Sequence, residues 1–516
     1  MRIFDTYVQK LKYKVLTELA RQTWVGNDAF AVFNDIANQV VKKGEPTMSC
    51  CIYKDRAIVA ERIRIALGGK KEDHNVIQVI DIACDECPVA GHVVTDLCRG
   101  CVAHACVDAC KLGAITVDSH QKAEIDKSKC VECGKCAKSC PYSAIANFKR
   151  PCERACKVDA ISMAPDGVAQ IDSEKCIECG ACVYKCPFGA TLDVSSITDI
   201  IKTIVDSDNN KNYHVHAIVA PAIAGQFQYA KAGQLISAIR ELGFYAVEEV
   251  ALGADIVAYK EAQELQEKGF LTSSCCPAFV KYIKMKFPQL AEHISHNLSP
   301  MAETGKLIKE QDPDAKIVFI GPCTAKKGEV RKPEVHQYVD YVMTFEELQA
   351  MIDSKDIAVD QLPETELDTA TYYGRVFART GGLSEAVTEA VREQKAAAEA
   401  AKADAPDGAG TSGAVASGEA GTNPGKPASG DGACDGDSAD SKPFVFDPIV
   451  CDGIDSCKTA LLRASKGLLP NNFIEGMVCT DGCIGGAACL SHGNADKRAI
   501  DNYGKKATHK EIRDVL

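Results

Sequence analysis

Two adjacent cysteines and a proline end the stretch Leu271-Thr-Ser-Ser-Cys275-Cys276-Pro277, and two later segments offer more sulfur. Ile317-Val-Phe-Ile-Gly-Pro-Cys323-Thr-Ala-Lys326-Lys is a β-rich run that closes on a cysteine, and Ile474-Glu-Gly-Met477-Val-Cys479-Thr-Asp-Gly-Cys483 adds a C-x3-C step among glycines. Taken alone, a buried cysteine is a small hydrophobe. Three cysteine-bearing loops, each just past an apolar run, are a different signal. In an open α/β sheet, loops at the carboxyl ends of neighbouring strands converge, so these could supply the thiolates of one metal site.

The chain holds 27 cysteines, and sixteen of them fall between residues 84 and 186. Cys130, Cys133, Cys136, Cys140-Pro141 and Cys176, Cys179, Cys182, Cys186-Pro187 follow C-x2-C-x2-C-x3-C-P without deviation. This is the bacterial ferredoxin spacing, in which three cysteines of a run hold one 4Fe-4S cube and the fourth reaches its partner. A zinc site asks instead for separated C-x2-C pairs and a tetrahedral ligand set. Cys98, Cys101, Cys106 and Cys110 form a looser third run. Cys152 and Cys156 look like the tail of a fourth, whose missing head Cys84 and Cys87 could supply. Three cubes is the cautious count and four the maximum. Cys140 could join Cys98, Cys101 and Cys106 while Cys110 joins Cys130, Cys133 and Cys136; a nested pairing of first run with last and second with third is equally allowed. Several cubes in a row suit electron conduction, better than an iron store.

The elements that must position these residues read as follows. Residues 1–78 carry no clustered ligands; Asp5 to Leu19 and Ala57 to Leu67 have helical apolar spacing, and Cys50 and Cys51 read as structural thiols. Residues 79–195 form the multi-cluster region. From Tyr213 the pattern changes: His214 to Ala224 is strand-like, Gln228 to Leu242 is an amphipathic helix, and Thr344-Phe-Glu-Glu347 is a capping box. Alternating strand and helix predicts an α/β domain over 205–394 and 443–516. Residues 395–442, almost all Ala, Gly, Ser, Asp and Pro, cannot bury enough apolar surface to order themselves and are expected to be a flexible insertion.

The three cysteine segments resemble the signature segments of the iron-only (FeFe) hydrogenases: TSCCP, PCTAKK-x-E from Pro322 to Glu329, and the C-x3-C-x-GG segment. The resemblance covers the chain from about residue 213 to its end, apart from the insertion. It implies an α/β catalytic domain of the FeFe-hydrogenase kind, here preceded by α+β ferredoxin-like 4Fe-4S domains. It also implies an H-cluster: a 4Fe-4S cube on Cys276, Cys323, Cys479 and Cys483, joined through Cys483 to a two-iron subsite carrying carbon monoxide, cyanide and a bridging dithiolate. Cys275 would be an unliganded thiol that passes protons to the bridging amine. Glu261, Ser295 and Glu264 would continue that path to the surface, while Lys326, Pro221 and Met477 would line the subsite. Departures from the relatives cluster around that pocket: Gly321 stands where many have methionine, Ala222 where they have serine, and Met301 where they have glutamine.

The expected activity is therefore reversible reduction of protons to H2 by an anaerobic enzyme, with electrons from ferredoxin or flavodoxin and with maturation proteins to build the subsite. The alternatives are a non-catalytic relative acting in iron-sulfur assembly or redox sensing, and a pure electron-transfer protein. A net charge of -12 and a pI near 5.5 argue against a nucleic-acid partner. No apolar run is long enough to span a bilayer. The start Met-Arg-Ile-Phe-Asp is unlike a secretory signal, and so many thiols without export read as metal ligands in the cytoplasm.

Overall fold

The helix Tyr7–Trp24 starts on a reciprocal cap. The Thr6 hydroxyl accepts from Gln9 N at 3.1 Å, and the Gln9 side chain accepts from Thr6 N at 3.1 Å. Two orphan donors of the first turn are thereby satisfied. The helix buries Leu11, Val15, Leu16 and Leu19, so it is part of the main core. Val15, Leu16 and Leu19 share one apolar cluster with Ile200, Val215, Ala217, Phe345 and Leu348 of the later chain. The structure is a computed structural model that describes residues 4–28, 31–44, 51–70, 72–85, 87, 90–403 and 444–516. Cys50, Cys434 and most of the expected insertion lie outside the described residues. The part of that insertion that is described is ordered: the helix expected over 383–394 runs from Gly382 to Ala403. Its Lys-Ala-Ala-Ala-Glu-Ala-Ala-Lys continuation is made of strong helix formers, which is why the helix does not stop at 394.

The multi-cluster region consists of short antiparallel pairs and helices of about one turn. Ile115–Val117 pairs with Ala123–Ile125, Ile161–Met163 with Ala169–Ile171, and Gly91–Val94 with Ile145–Phe148. Each regular cysteine run enters its helix, Lys135–Ser139 or Ala181–Lys185, through a left-handed glycine, Gly134 (φ 72) or Gly180 (φ 73). A side chain at Gly180 would also collide with the neighbouring domain, since a Cβ there would sit 2.6 Å from Thr324 Oγ1 and 2.7 Å from Ala487 Cβ.

Two parallel sheets build the rest. One runs Ala246–Glu249, Val215–Val219, Lys316–Gly321, Tyr341–Thr344; the other runs Leu271–Thr272, Phe473–Met477, Pro448–Asp452. Every residue of Val215–Val219 and of Phe473–Met477 is buried, as expected for strands covered on both faces. The strand expected over 214–224 ends at Val219, because the chain turns at Pro221 into the short helix Ile223–Gln226. The helix expected from Gln228 starts at Ala232, behind Lys231. The Thr344 box caps the helix Phe345–Ser354.

A buried ionic knot ties three parts of the chain together. Lys12 reaches Asp193 at 2.5 Å and Glu346 at 2.7 Å, and Lys327 reaches Asp193 at 2.7 Å and Glu347 at 2.8 Å. Burial opposes ionisation of Asp193, yet the two ammonium groups hold its carboxyl well below the usual range. Removing one partner of such a set costs about 3–5 kcal/mol, because a buried charge is left uncompensated. Among the described residues, no helix is long and apolar enough to cross a membrane.

Candidate metal centre

Four cysteines come together from three loops, each at the carboxyl end of a parallel strand. Leu271–Thr272 leads to Cys276, Lys316–Gly321 to Cys323, and Phe473–Met477 to Cys479 and Cys483. Burial raises all four thiols, with Cys323 pushed up to about 11 and Cys483 to about 12, and Cys276 acts on each of the other three. Two of them sit at helix starts: Cys276 caps Pro277–Lys286, and Cys323 precedes Ala325–Glu329. Backbone N–H groups there favour a thiolate: those of Phe279 and Ala278 pull Cys276 down, and those of Lys326 and Ala325 pull Cys323 down.

The donor set fits an iron-sulfur cube. Four half-buried cysteines in one place, with no disulfide between them, are costly as ionised thiolates unless a cation receives them. Lys326 stands close to these sulfurs. It is 7% exposed and pairs with Glu329 at 2.6 Å, yet neither its Nζ nor Glu329 Oε2 has a well-aligned hydrogen bond. Burial works against its charge, and Glu329 followed by Cys323 and Cys275 restores it, raising the pKa overall. Met477 packs in one apolar cluster with Cys275 and Cys276, and Pro221 is buried beyond Val219. Gly321, a departure from the relatives, has its own local cause. A Cβ there would lie 2.5 Å from the Phe319 ring, which occupies the space above it.

Cys275 stands beside this set. Burial raises its thiol well above the ordinary value, and the first side chain to add to that effect is Glu261. Glu261, on the long helix Val250–Lys268, is completely buried and is pushed by burial up to about 8. Its Oε1 accepts from Ser274 N at 3.4 Å, and its Oε2 has no partner. Burial therefore favours its protonated form, whose hydroxyl can turn to the neighbouring Ser295. Ser295 Oγ donates to Glu264 at 3.3 Å. Burial works against ionisation of Glu264, but Lys268 and His296 win and hold it below the carboxylate range. His296 Nδ1 lies 2.7 Å from Glu264, with a side chain 72% exposed. A neutral acid, a hydroxyl and an ionised carboxylate therefore run from Cys275 to solvent in order.

The sixteen cysteines between residues 84 and 186 fall into four groups. Burial raises Cys152 to about 11, with Cys186 and Cys84 adding to it, and Cys87 is influenced by Cys84 and Cys186. Cys179 and Cys182 are each influenced by Cys176 and Cys156. Cys106 adjoins Cys101 and Cys140, with Cys98 packed in the same cluster. Cys110, Cys130, Cys133 and Cys136 line a cavity of about 220 Å³. Cys84 and Cys87 thus stand with Cys152, and Cys140 stands with the first run and not in the nested arrangement. A larger cavity of about 780 Å³ is bordered by Cys156, Cys176, Cys179 and Cys182 on one side and Cys479 on the other. Cys179 is close enough to feel both Cys276 and Cys479.

Sequence reasoning missed the groups that aim these loops. Glu475, fully buried one residue before Gly476, accepts from Gly381 N at 2.7 Å and Ser384 N at 2.8 Å. Arg379 joins Glu385 at 2.8 Å and Asp501 at 2.7 Å, and Cys483 N donates to Ala378 O at 2.8 Å. A carboxylate amid an all-apolar strand was the signal available for Glu475; for Arg379 there was none.

The sequence pattern of the iron only hydrogenase large subunit, C-terminal domain, matches residues 213–487, and that of the 4Fe-4S dicluster domain matches 97–144 and 150–190. Iron hydrogenase 1 of Clostridium pasteurianum is 30% identical over 54% of this chain and 52% of its own length. The periplasmic Fe hydrogenase large subunit of Nitratidesulfovibrio vulgaris is 29% identical over 49% of this chain and 61% of its own. The cytosolic Fe-S cluster assembly factor NAR1 of Kluyveromyces lactis is 37% identical over 95 residues, 18% of this chain and 20% of its own length. The chain thus spans roughly half the length of the two hydrogenases it resembles. With the matched pattern extending over more than half of its residues, the chain belongs to the iron-only hydrogenase large-subunit family and carries ferredoxin-like 4Fe-4S domains ahead of the family domain.

Proposed function

We propose that the protein is a cytoplasmic hydrogenase that interconverts protons and electrons with H2, fed through four N-terminal 4Fe-4S cubes by ferredoxin or flavodoxin. The observation that carries this reading is the meeting of two lines at one place. Cys179 adjoins Cys276 and Cys479 from the cluster side, and Glu261, Ser295 and Glu264 lead away from Cys275 to solvent.

Cys276, Cys323, Cys479 and Cys483 would hold the cube of an H-cluster, with Cys483 shared with the two-iron subsite and with Pro221, Lys326 and Met477 around it. When bound, that subsite would supply the redox chemistry that joins protons and electrons. The chain's own residues handle the proton. Cys275 carries it to the site and is recharged from Glu261, whose pKa of about 8 lets it give and regain a proton near neutral pH. Ser295 passes the proton on, and the ionised Glu264 exchanges with water beside His296. Maturation proteins would supply the subsite.

The likeness to NAR1 favours a second reading, a cube-only protein in iron-sulfur assembly. Against it stands Glu261, because a buried carboxyl with an unpaired oxygen costs about 1–3 kcal/mol and a cube scaffold gains nothing from it. The test is the infrared spectrum of anaerobically matured protein in the region of iron-bound carbonyl and cyanide stretches, together with H2 evolution from a reduced dye. Bands and turnover support the hydrogenase. Cubes without bands, when a control hydrogenase matures in the same extract, would move the protein to the assembly class.

A further inference from the structure

At the opposite edge of the main sheet, three side chains converge that take no part in the cysteine site. His214 and His216 stand two residues apart at the amino end of the strand Val215–Val219, so they project to one face. Asp312 closes the helix Pro300–Gln311 beside them. One donor atom from each lies within 4.8 Å of the others. Of the cysteine loops, the one bearing Cys323 leaves from the carboxyl end of Lys316–Gly321 in this same sheet, and the histidines lie at the other end of it.

His216 is the informative member. Its Nδ1 lies 2.8 Å from Glu248 Oε1, and a carboxylate neighbour there fixes the proton on Nδ1 and leaves Nε2 with a bare lone pair. That Nε2 is buried, in a residue only 8% exposed, and has no hydrogen-bond partner. What it faces is Asp312 Oδ2 at 3.9 Å, too far for a hydrogen bond. A lone pair and a carboxylate oxygen that face each other unpaired repel unless a cation lies between them. Two metal-ligand bonds of about 2 Å at a tetrahedral angle span about 3.3 Å, so the pair need close by only about half an ångström to hold an ion. His214 Nδ1 holds the same Asp312 oxygen at 2.7 Å, and its ring stacks on Tyr245 with centroids 3.8 Å apart. The side chains of His214 and Asp312 are 39% and 30% exposed, which leaves an open side for entry and for water.

We propose that His214, His216 and Asp312 form a divalent transition-metal site, best suited to zinc. Two imidazoles and one carboxylate with a free fourth position match zinc's borderline donors and tetrahedral preference, and the Glu248–His216 pair is the outer carboxylate that orients a metal-bound histidine. On uptake, His214 exchanges its hydrogen bond to Asp312 for the ion. The ion staples the strand that leads to Pro221 to the end of the Pro300–Gln311 helix.

The test uses cluster-replete protein under anaerobic conditions, so that the cluster cysteines are already taken. It is titrated with zinc against a weak chelator, and the bound ion is read by X-ray absorption at the zinc edge. One equivalent of zinc with only nitrogen and oxygen neighbours at about 2.0–2.1 Å supports the site. His214→Ala, at the exposed rim, should lower zinc affinity at least tenfold with iron content and melting temperature in excess chelator unchanged. Glu248→Gln should weaken binding about 10–100-fold. No retained zinc, a sulfur shell near 2.3 Å, or unchanged affinity in both variants would overturn the proposal.

Discussion

The cluster-bearing arm and the cysteine site of the family domain hold their sulfurs in opposite ways. In the arm, each cysteine group draws three of its four sulfurs from a stretch of tens of residues at most, except where Cys84 and Cys87 reach Cys152, and one-turn helices with left-handed entries set the geometry. In the family domain, four sulfurs span residues 276 to 483, and the local helix starts at Cys276 and Cys323 cannot by themselves bring them together. Their aim comes from buried polar groups behind the loops: Glu475 on two backbone donors, Arg379 between Glu385 and Asp501, and Cys483 N on Ala378 O. Damage should therefore stay local in the arm and spread in the family domain.

The largest effect is expected where chemistry separates from ligation. Cys275→Ser leaves every proposed ligand in place, so iron per chain and the carbonyl bands should stay unchanged while H2 turnover falls about a hundredfold or more, the usual weight of a positioned proton donor. Turnover equal to that of the parent would remove Cys275 from the proton path. Glu261→Gln should behave alike, since it keeps the shape and removes the acid.

Next comes a residue that touches no sulfur. Glu475→Gln can accept from only one of Gly381 N and Ser384 N, which leaves a buried donor unpaired at a cost of about 1–3 kcal/mol. The melting temperature should drop, and iron should be lost from the family domain while the arm keeps its clusters, as electron paramagnetic resonance of the separate cubes would report. Loss from both regions together would mean that the two do not differ in the way described. The converse variant, Cys87→Ala, should cost one cube's worth of iron and leave the carbonyl bands intact. Its turnover should fall more with a protein electron carrier than with a dye that can reach the inner clusters directly.

The same contrast governs what could be read from the chain beforehand. The cysteine runs of the arm are legible because their ligands are sequence neighbours, and the three family segments are legible because ligand, proline and glycine recur within a few residues. The partner of each run was not, since Cys140 fits either pairing by spacing, and it is the nearness of Cys106 to Cys101 and Cys140, with Cys110 facing the cavity of Cys130, Cys133 and Cys136, that distinguishes them. Residues 1–78 offered helical spacing, realised in Tyr7–Trp24 and Ile52–Ala66, but no role, because their contribution is tertiary. Lys12 looks like any helix-face lysine until Asp193 and Glu346 close around it. The helix end at Ala403 was obscured by composition, because the alanine-rich start of the insertion reads as low complexity and is also good helix.

The smallest expected effect concerns a carboxyl that serves the frame alone. Asp255, on the same helix as Glu261, accepts from Thr371 N at 2.8 Å and from Thr371 Oγ1 at 2.6 Å, and so holds the start of Tyr372–Val376, the short helix just before Arg379. Burial pushes its pKa up to about 7 from 3.8. A folded pKa above the unfolded one means that the native state binds the proton more tightly. The group's contribution is therefore complete below about pH 4 and is lost as pH rises through about 7, at no more than about 1.4 kcal/mol per pH unit. Asp255→Asn cannot titrate, so its melting temperature should change less between pH 4 and 7 than that of the parent, and the gap between the two should move in the variant's favour as pH rises. Parallel melting curves across that window would show that Asp255 is already ionised in the fold. The adjacent turn of the helix, with Glu261 buried in the same way, would then need a different account of its proton.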